Sequence, residues 1–234
     1  HAHWWTHVAS QFAKIYRVAA LDLSGHGDSG RRESYSLNQW CDEVAAVAAD
    51  AEMEGPPIII GHSMGGYVTL ATAANHPDKL AGAIILDSAV TAPDPEMQVK
   101  RRSQFANPKI HADFPTAMAR FRPVPEQENT EPFLMRHIAR MSLTEVEGGV
   151  TWKFDPAVFQ EQRRSTADEL LRQVTCRIAL FRAENGLVTP GIGAYMYEQL
   201  GRGHHMMLDQ PLLVVAAIRT LLADWEHSVP FERD

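Results

Sequence analysis

The run Pro57-Ile58-Ile59-Ile60 passes straight into Gly61-His62-Ser63-Met64-Gly65-Gly66, and that into a stretch carrying Tyr67, Val68, Leu70, Ala71, Ala73 and Ala74. A short β-branched run of this kind reads as a buried strand. The alanine-rich stretch reads as a helix, stopped by Asn75-His76-Pro77. Only a tight turn centred on Ser63 fits between them. A strand that reverses so abruptly into a helix is the opening of a crossover, and crossovers build parallel sheets covered by helices.

The rest of the chain repeats the alternation. Ile15 to Leu23 is β-rich and closes in the turn-forming cluster Ser24-Gly25-His26-Gly27-Asp28-Ser29-Gly30, so a strand then a loop is expected. Leu37, Trp40, Cys41, Val44, Val47 and Ala48 recur at threes and fours, which predicts a helix from Ser36 to about Glu52 with Ser36 as its cap. Ala83 to Asp87 and Ile178 to Phe181 are further strands, and Tyr195 to Leu200 a further helix. The fold class is therefore α/β, with a mostly parallel central sheet and helices on both faces. Between 91 and 166 the alternation stops and short amphipathic pieces appear, such as Glu131 to Met141. A structureless loop of that length is improbable in a compact domain, so this span is expected to be an inserted helical cap, with 1–90 and 167–234 forming the core.

Ser63 is the residue to which chemistry can be attached. A serine hydroxyl needs a base to take its proton, donors to hold the developing oxyanion, and exposure to the substrate. A G-x-S-x-G turn between strand and helix supplies exposure through a strained backbone, and the helix start aims the Met64 amide at the reacting carbonyl. The plain alternative is a tight turn without chemistry, and the strand and helix flanking the motif weigh against it.

With Leu21-Asp22-Leu23-Ser24-Gly25-His26-Gly27-Asp28-Ser29, Gly61-His62-Ser63-Met64-Gly65-Gly66 and Gly203-His204-His205-Met206-Met207-Leu208-Asp209-Gln210-Pro211, nearly the whole chain resembles the α/β-hydrolase superfamily, in its serine hydrolase branch with a helical cap. The resemblance implies the order nucleophile, acid, histidine, with His204 as general base and the Met64 N–H as one oxyanion donor. The usual acid position is occupied by Gly186, which cannot orient an imidazole. Some relatives take the acid from the end of the strand after the nucleophile helix, which here is Asp87; Glu184 and an unseen residue near Gly186 compete with it. Asp22, His26 and Asp28 are read as structural.

The resemblance also calls for a His-Gly strand end before His1, supplying a second oxyanion donor, and for one more strand between Arg202 and Gly203. Neither is in the sequence, and segments are expected to be missing at both places.

The function expected is hydrolysis of a small or medium carboxylic ester, or a related acyl compound, through an acyl-serine intermediate. A carbon–carbon bond hydrolase or a perhydrolase would use the same triad, and a non-catalytic ligand-binding protein would use the same fold. A serine nucleophile argues against epoxide hydrolases and haloalkane dehalogenases. Aromatic residues such as Phe105, Phe121 and Trp152 give the cap an apolar lining or an apolar core.

Charge narrows the partners. With 22 basic and 29 acidic side chains the chain carries a formal −7, which disfavours nucleic acid and anionic membrane. A small-molecule acyl substrate is expected, with a homodimer left open. Cys41 and Cys176 form neither a metal-ligand spacing nor a disulfide framework, which suits a reducing cytoplasm. No cofactor and no metal are expected.

Overall fold

The computed structural model describes residues 1–88, 95–124, 126–127, 130–160, 167–183, 197–199 and 210–227. Its centre is a four-stranded parallel sheet in the order β1-β2-β5-β6, formed by β1 (Ile58–His62), β2 (Gly82–Leu86), β5 (Arg177–Arg182) and β6 (Tyr197–Gln199). β1 runs in register with β2, Ile58 beside Gly82 and His62 beside Leu86, and β2 with β5, Gly82 beside Arg177 and Leu86 beside Phe181. β2 lies between them and is buried along its whole length.

Period-two alternation assigns the strand side chains to two apolar layers. Ile84, Leu86, Ala179 and Phe181 face α1 (Thr6–Ala9) and α8 (Pro211–His227), where Val8, Val214, Ile218 and Trp225 complete one layer. Ala83, Ile85 and Leu180 face α3 (Met64–Asn75) and α7 (Ala167–Leu171), where Leu70, Ala71 and Leu170 complete the other. Each fully buried Ile or Leu contributes about 2 kcal/mol by leaving water. Gly82 is a glycine because a Cβ there would stand 2.3 Å from the Trp225 ring.

α2 (Leu37–Asp50) begins where its cap was expected: Ser36 is extended and its Oγ accepts from the Gln39 N–H. α3 is buried from Gly66 to Ala74 without a charged side chain, and the Thr72 hydroxyl is satisfied by the Val68 carbonyl, as suits a helix sandwiched between sheet and α2.

Three expectations need correcting. Ile15 to Leu23 is not a strand: among the described residues no strand pairs with it, and Ile15 and Val18 are 67% and 41% exposed. A β-rich composition fits a pleated surface but cannot supply the neighbouring ladder. Tyr197–Gln199 lies inside the expected helix Tyr195 to Leu200 and is a strand, paired in parallel with Leu180 to Arg182 of β5. Ladder hydrogen bonds to an otherwise open edge outweigh the helix propensity of so short a piece.

The third correction concerns the span after β2, which is not purely helical. It contains α4 (Pro95–Phe105), α5 (Phe114–Ala119) and α6 (Pro132–Met141), but then an antiparallel hairpin of β3 (Leu143–Val146) and β4 (Gly149–Trp152). Glu147 and Gly148 make the turn, with Gly148 at φ +85° and Gly149 at +144°, which only glycine adopts without strain. Gly148-Gly149 between Val146 and Val150-Thr151-Trp152 is a hairpin signal that helical periodicity in the neighbouring Glu131 to Met141 obscured.

Candidate functional site

Ser63 sits between the last residue of β1 and the first of α3, at φ 52° and ψ −120°. That region is open to glycine and costs an L-residue of order 1–3 kcal/mol, a strain that the surrounding structure must hold in place. The Ser63 N–H donates to the Leu86 carbonyl at 3.1 Å, and the Ser63 carbonyl accepts from Gly66 N–H at 3.0 Å and Tyr67 N–H at 3.3 Å. Its hydroxyl does not cap α3. Ser36 shows the contrast: a serine at a helix start with relaxed φ −142° and ψ 155° whose hydroxyl is a cap.

The glycines around Ser63 differ in what they permit. A Cβ on Gly61 would stand 2.2 Å from the Gly65 carbonyl oxygen and 2.3 Å from Thr69 Oγ1, so the turn cannot close over any larger residue. A Cβ on Gly66 would meet Ser88 Cβ at 2.6 Å. On Gly65 it would meet no described atom within 4 Å. Among the described residues, clearance comes from Gly61 and Gly66.

Asp87 follows β2 directly and is completely buried. It too has a positive φ, 38°, and its N–H donates to the Phe181 carbonyl at 2.7 Å. Register places His62, Leu86 and Phe181 side by side, so Ser63, Asp87 and Arg182 are the next residues at the carboxyl ends of three adjacent strands. Arg182 is buried as well. In parallel α/β sheets this rim is where ligands bind. Sequence reasoning passed over Arg182; its place one residue past the apolar run of β5 is the signal that could have found it.

Met64 opens α3, and the first N–H groups of a helix have no acceptor within it. With the helix dipole behind it, the Met64 amide is a donor available to an anion. His204, Glu184, Gly186 and the Arg202–Gly203 junction lie outside the described residues.

The turn Gly25-His26-Gly27-Asp28 is an anchor for a distant part of the chain. Gly27 N–H donates to Lys153 O at 2.9 Å, Asp155 N–H donates to Gly25 O at 2.7 Å, and His26 bridges to Phe154. Lys153 Nζ pairs with Asp28 Oδ1 at 2.6 Å, and Tyr35 OH donates to Asp155 Oδ2 at 2.8 Å. The chain returning from the β3–β4 hairpin is thus zipped onto this turn. Asp22 holds the turn from below, its carboxylate accepting from Asp28 N–H at 2.6 Å. Burial lowers the His26 imidazole to a pKa of about 4, so it is neutral at pH 7, edge-on to Trp40 at 6.0 Å. Asp22, His26 and Asp28 accordingly hold structure together. Phe105 stacks on Phe159 at 4.5 Å with Phe154 edge-on to both, a packed cluster within the insertion.

The chain is similar to a pyrethroid hydrolase of Sphingobium wenxiniae, 43% identical over 83 residues, which is 35% of this chain and 29% of that protein. It is similar to a pimeloyl-[acyl-carrier protein] methyl ester esterase of Neisseria meningitidis serogroup C, 36% identical over 78 residues, 33% of this chain and 28% of that protein. The chain thus spans about a third of the length of the curated relatives it matches. Among solved structures, E-2-(acetamidomethylene)succinate hydrolase superposes with a TM-score of 0.80 at 20% identity, covering 95% of this chain and 87% of that one, which shows a shared fold. The alpha/beta hydrolase family model matches residues 1–218. A strand, a strained serine and a buried helix in succession, on a parallel sheet of that shape, agree with the match: the chain belongs to the alpha/beta hydrolase family.

Proposed function

We propose that the protein is a serine hydrolase that cleaves a small or medium carboxylic ester through an acyl-serine intermediate. The observation that carries this reading is the strained Ser63 backbone at the β1–α3 junction, with its hydroxyl left out of helix capping. Strain of this kind persists at sites where it serves a mechanism. Ser63 attacks the acyl carbon, His204 takes the proton and returns it to the leaving alcohol, and Asp87 orients the His204 imidazole and stabilises its cation. The Met64 N–H holds the oxyanion. Water then repeats the sequence and releases the acid. Similarity to a protein named as a methyl ester esterase supports an ester substrate.

Residues 91–166 act as a cap that selects the substrate, and the acyl group lies between it and the Ser63 rim. The anchoring of Lys153–Asp155 on the Gly25–Asp28 turn supports this role, because the same stretch carries Val158 into the apolar cluster that includes Met64, the residue after Ser63. The protein acts without a cofactor.

Labelling with a fluorophosphonate probe, followed by peptide mapping, tests the assignment. Stoichiometric modification at Ser63, lost in Ser63→Ala together with hydrolysis of a short-chain chromogenic ester, is the expected result. Equal hydrolysis by both proteins removes Ser63 from the mechanism; an unmodified Ser63 in a folded protein that hydrolyses no ester leaves a ligand-binding protein on a hydrolase fold.

A further inference from the structure

The insertion meets the core at a second place, where α6 lies against the short helix Ala2–Trp4. Trp4 packs on the α6 cluster of Leu134 and Ile138 and also on the core layer of Val8, Val214 and Ile218. Among the described residues no other side chain joins those two clusters. His1 Nε2 lies 2.7 Å from Oγ of Ser142, the residue that ends α6. The Ser142 hydroxyl donates to Ile138 O at 2.7 Å, so it accepts from His1, and Nε2 carries the hydrogen of that ring.

The polar side of this joint is made of imidazoles. The His3 ring stands 6.0 Å from that of His1 and 5.4 Å from that of His137 on α6, edge-on to both. His1 Nδ1 and His137 Nε2 are buried and make no hydrogen bond among the described residues. A neutral imidazole bears one hydrogen on nitrogen and its cation two. In the cations these two nitrogens would become buried donors without an acceptor, and each charge would face the His3 ring. The surroundings offset little of this. Asp22 is already committed to backbone, its Oδ1 accepting from Ala2 N–H and its Oδ2 from Asp28 N–H, both at 2.6 Å. α6 with its cap residue carries exposed Glu131, Arg136 and Arg140, and β3 carries exposed Glu145. Three carboxylates against two guanidiniums leave one negative charge, enough for one protonated ring and not for a second. His7 on α1 and His26 on the 25–28 turn are the remaining titratable rings on the elements that adjoin the joint.

We infer that this joint is a pH-sensitive latch: His1, His3 and His137 hold α6 on the core while they are neutral and release it when the cluster takes up more than one proton. An imidazole changes charge between about pH 5 and 8, which makes clustered histidines a switch in that range. The docked state favours the form with fewer protons, so docking is complete at the alkaline end of the range and weakens as pH falls through it. Release is local to α6, because Lys153 to Asp155 are held on the 25–28 turn by backbone bonds and by the ion pair of Lys153 with Asp28. The latch does not rest on the hydrolase reading.

Hydrogen–deuterium exchange at about pH 7.5 and about pH 5.5, read on peptides from α6 and from α3 with labelling times scaled for the intrinsic rate, tests it without any substrate. In the wild type the opening of α6 relative to α3 should rise at least about threefold at the lower pH. Dividing by α3 removes the loss of global stability that acid causes through His26. In the double variant His3→Gln/His137→Gln, whose amides take up no proton, the ratio should be the same at both pH values. An unchanged ratio in the wild type overturns the proposal without need of any variant, and so does a rise in the double variant equal to that of the wild type.

Discussion

The Ser63 amide is hydrogen-bonded to the Leu86 carbonyl at 3.1 Å, and Leu86 is the residue immediately before Asp87. Ladder bonding thus runs past the end of β1 and binds the serine turn to the strand end that carries the buried carboxylate. Ser63 and Asp87 are both held at positive φ, which in the described residues they share among non-glycines only with Glu52. Two strained positions joined through one ladder cannot relax separately.

Replacing Ser63 should therefore separate stability from activity. Ser63→Ala keeps the strain and should lower ester hydrolysis about 10⁴-fold or more. Ser63→Gly relieves the φ of 52° and should be equally inactive but about 1 kcal/mol more stable than Ser63→Ala. Thermal unfolding of the two variants side by side checks the order.

Asp87→Asn preserves size and burial and removes the charge. Activity should fall about 10⁴-fold if this carboxylate orients His204, with labelling of Ser63 slowed in parallel. Glu184→Gln is the control: a larger loss there than at Asp87 would transfer the acid role to Glu184.

The glycines make a test of space alone. Gly61→Ala and Gly66→Ala should each destabilise by about 2–3 kcal/mol through overpacking, against Gly65 O and Ser88 respectively. Gly65→Ala should stay within about 1 kcal/mol of wild type, since no described atom is crowded and alanine favours helix. Urea denaturation of all three variants reads the difference.

His26 makes stability fall toward acid. Its folded pKa of about 4 lies below the unfolded value of 6.5, so between these the unfolded chain binds the proton and the native state does not. The contribution is complete above about pH 6.5 and is lost as pH drops to about 4, amounting to at most about 3 kcal/mol. Denaturation of wild type and His26→Phe across this window should show a steep decline in the first and a shallower one in the second.

What the sequence disclosed about this protein was local. Ser36, the helix it caps, the isoleucines of β1 and the turn at Ser63 were all legible because each signal lies within a few residues of its effect. Ile15 to Leu23 misled because a strand is completed by a partner that its own residues cannot announce. Tyr197–Gln199 misled in the opposite direction, its three residues carrying too little pattern to oppose a helix reading. The β3–β4 hairpin was visible in Gly148-Gly149 and was overlooked beside stronger helical neighbours. Arg182 and Lys153 gain their places from register and from a fold-back across more than a hundred residues, and no window along the chain contains both sides of either contact.

The zipper between Gly25–Asp28 and Lys153–Asp155 bears on how such proteins can be recombined. A graft of the insertion from a relative that runs past Lys153 would leave Gly27 N–H, Gly25 O and Asp28 facing foreign backbone, and one that runs past Val158 would also take from Gly25 the side chain whose Cγ1 lies 2.5 Å from where a Cβ would sit. The seam for exchanging specificity therefore runs before Lys153; beyond it, the histidine turn has to travel with the guest.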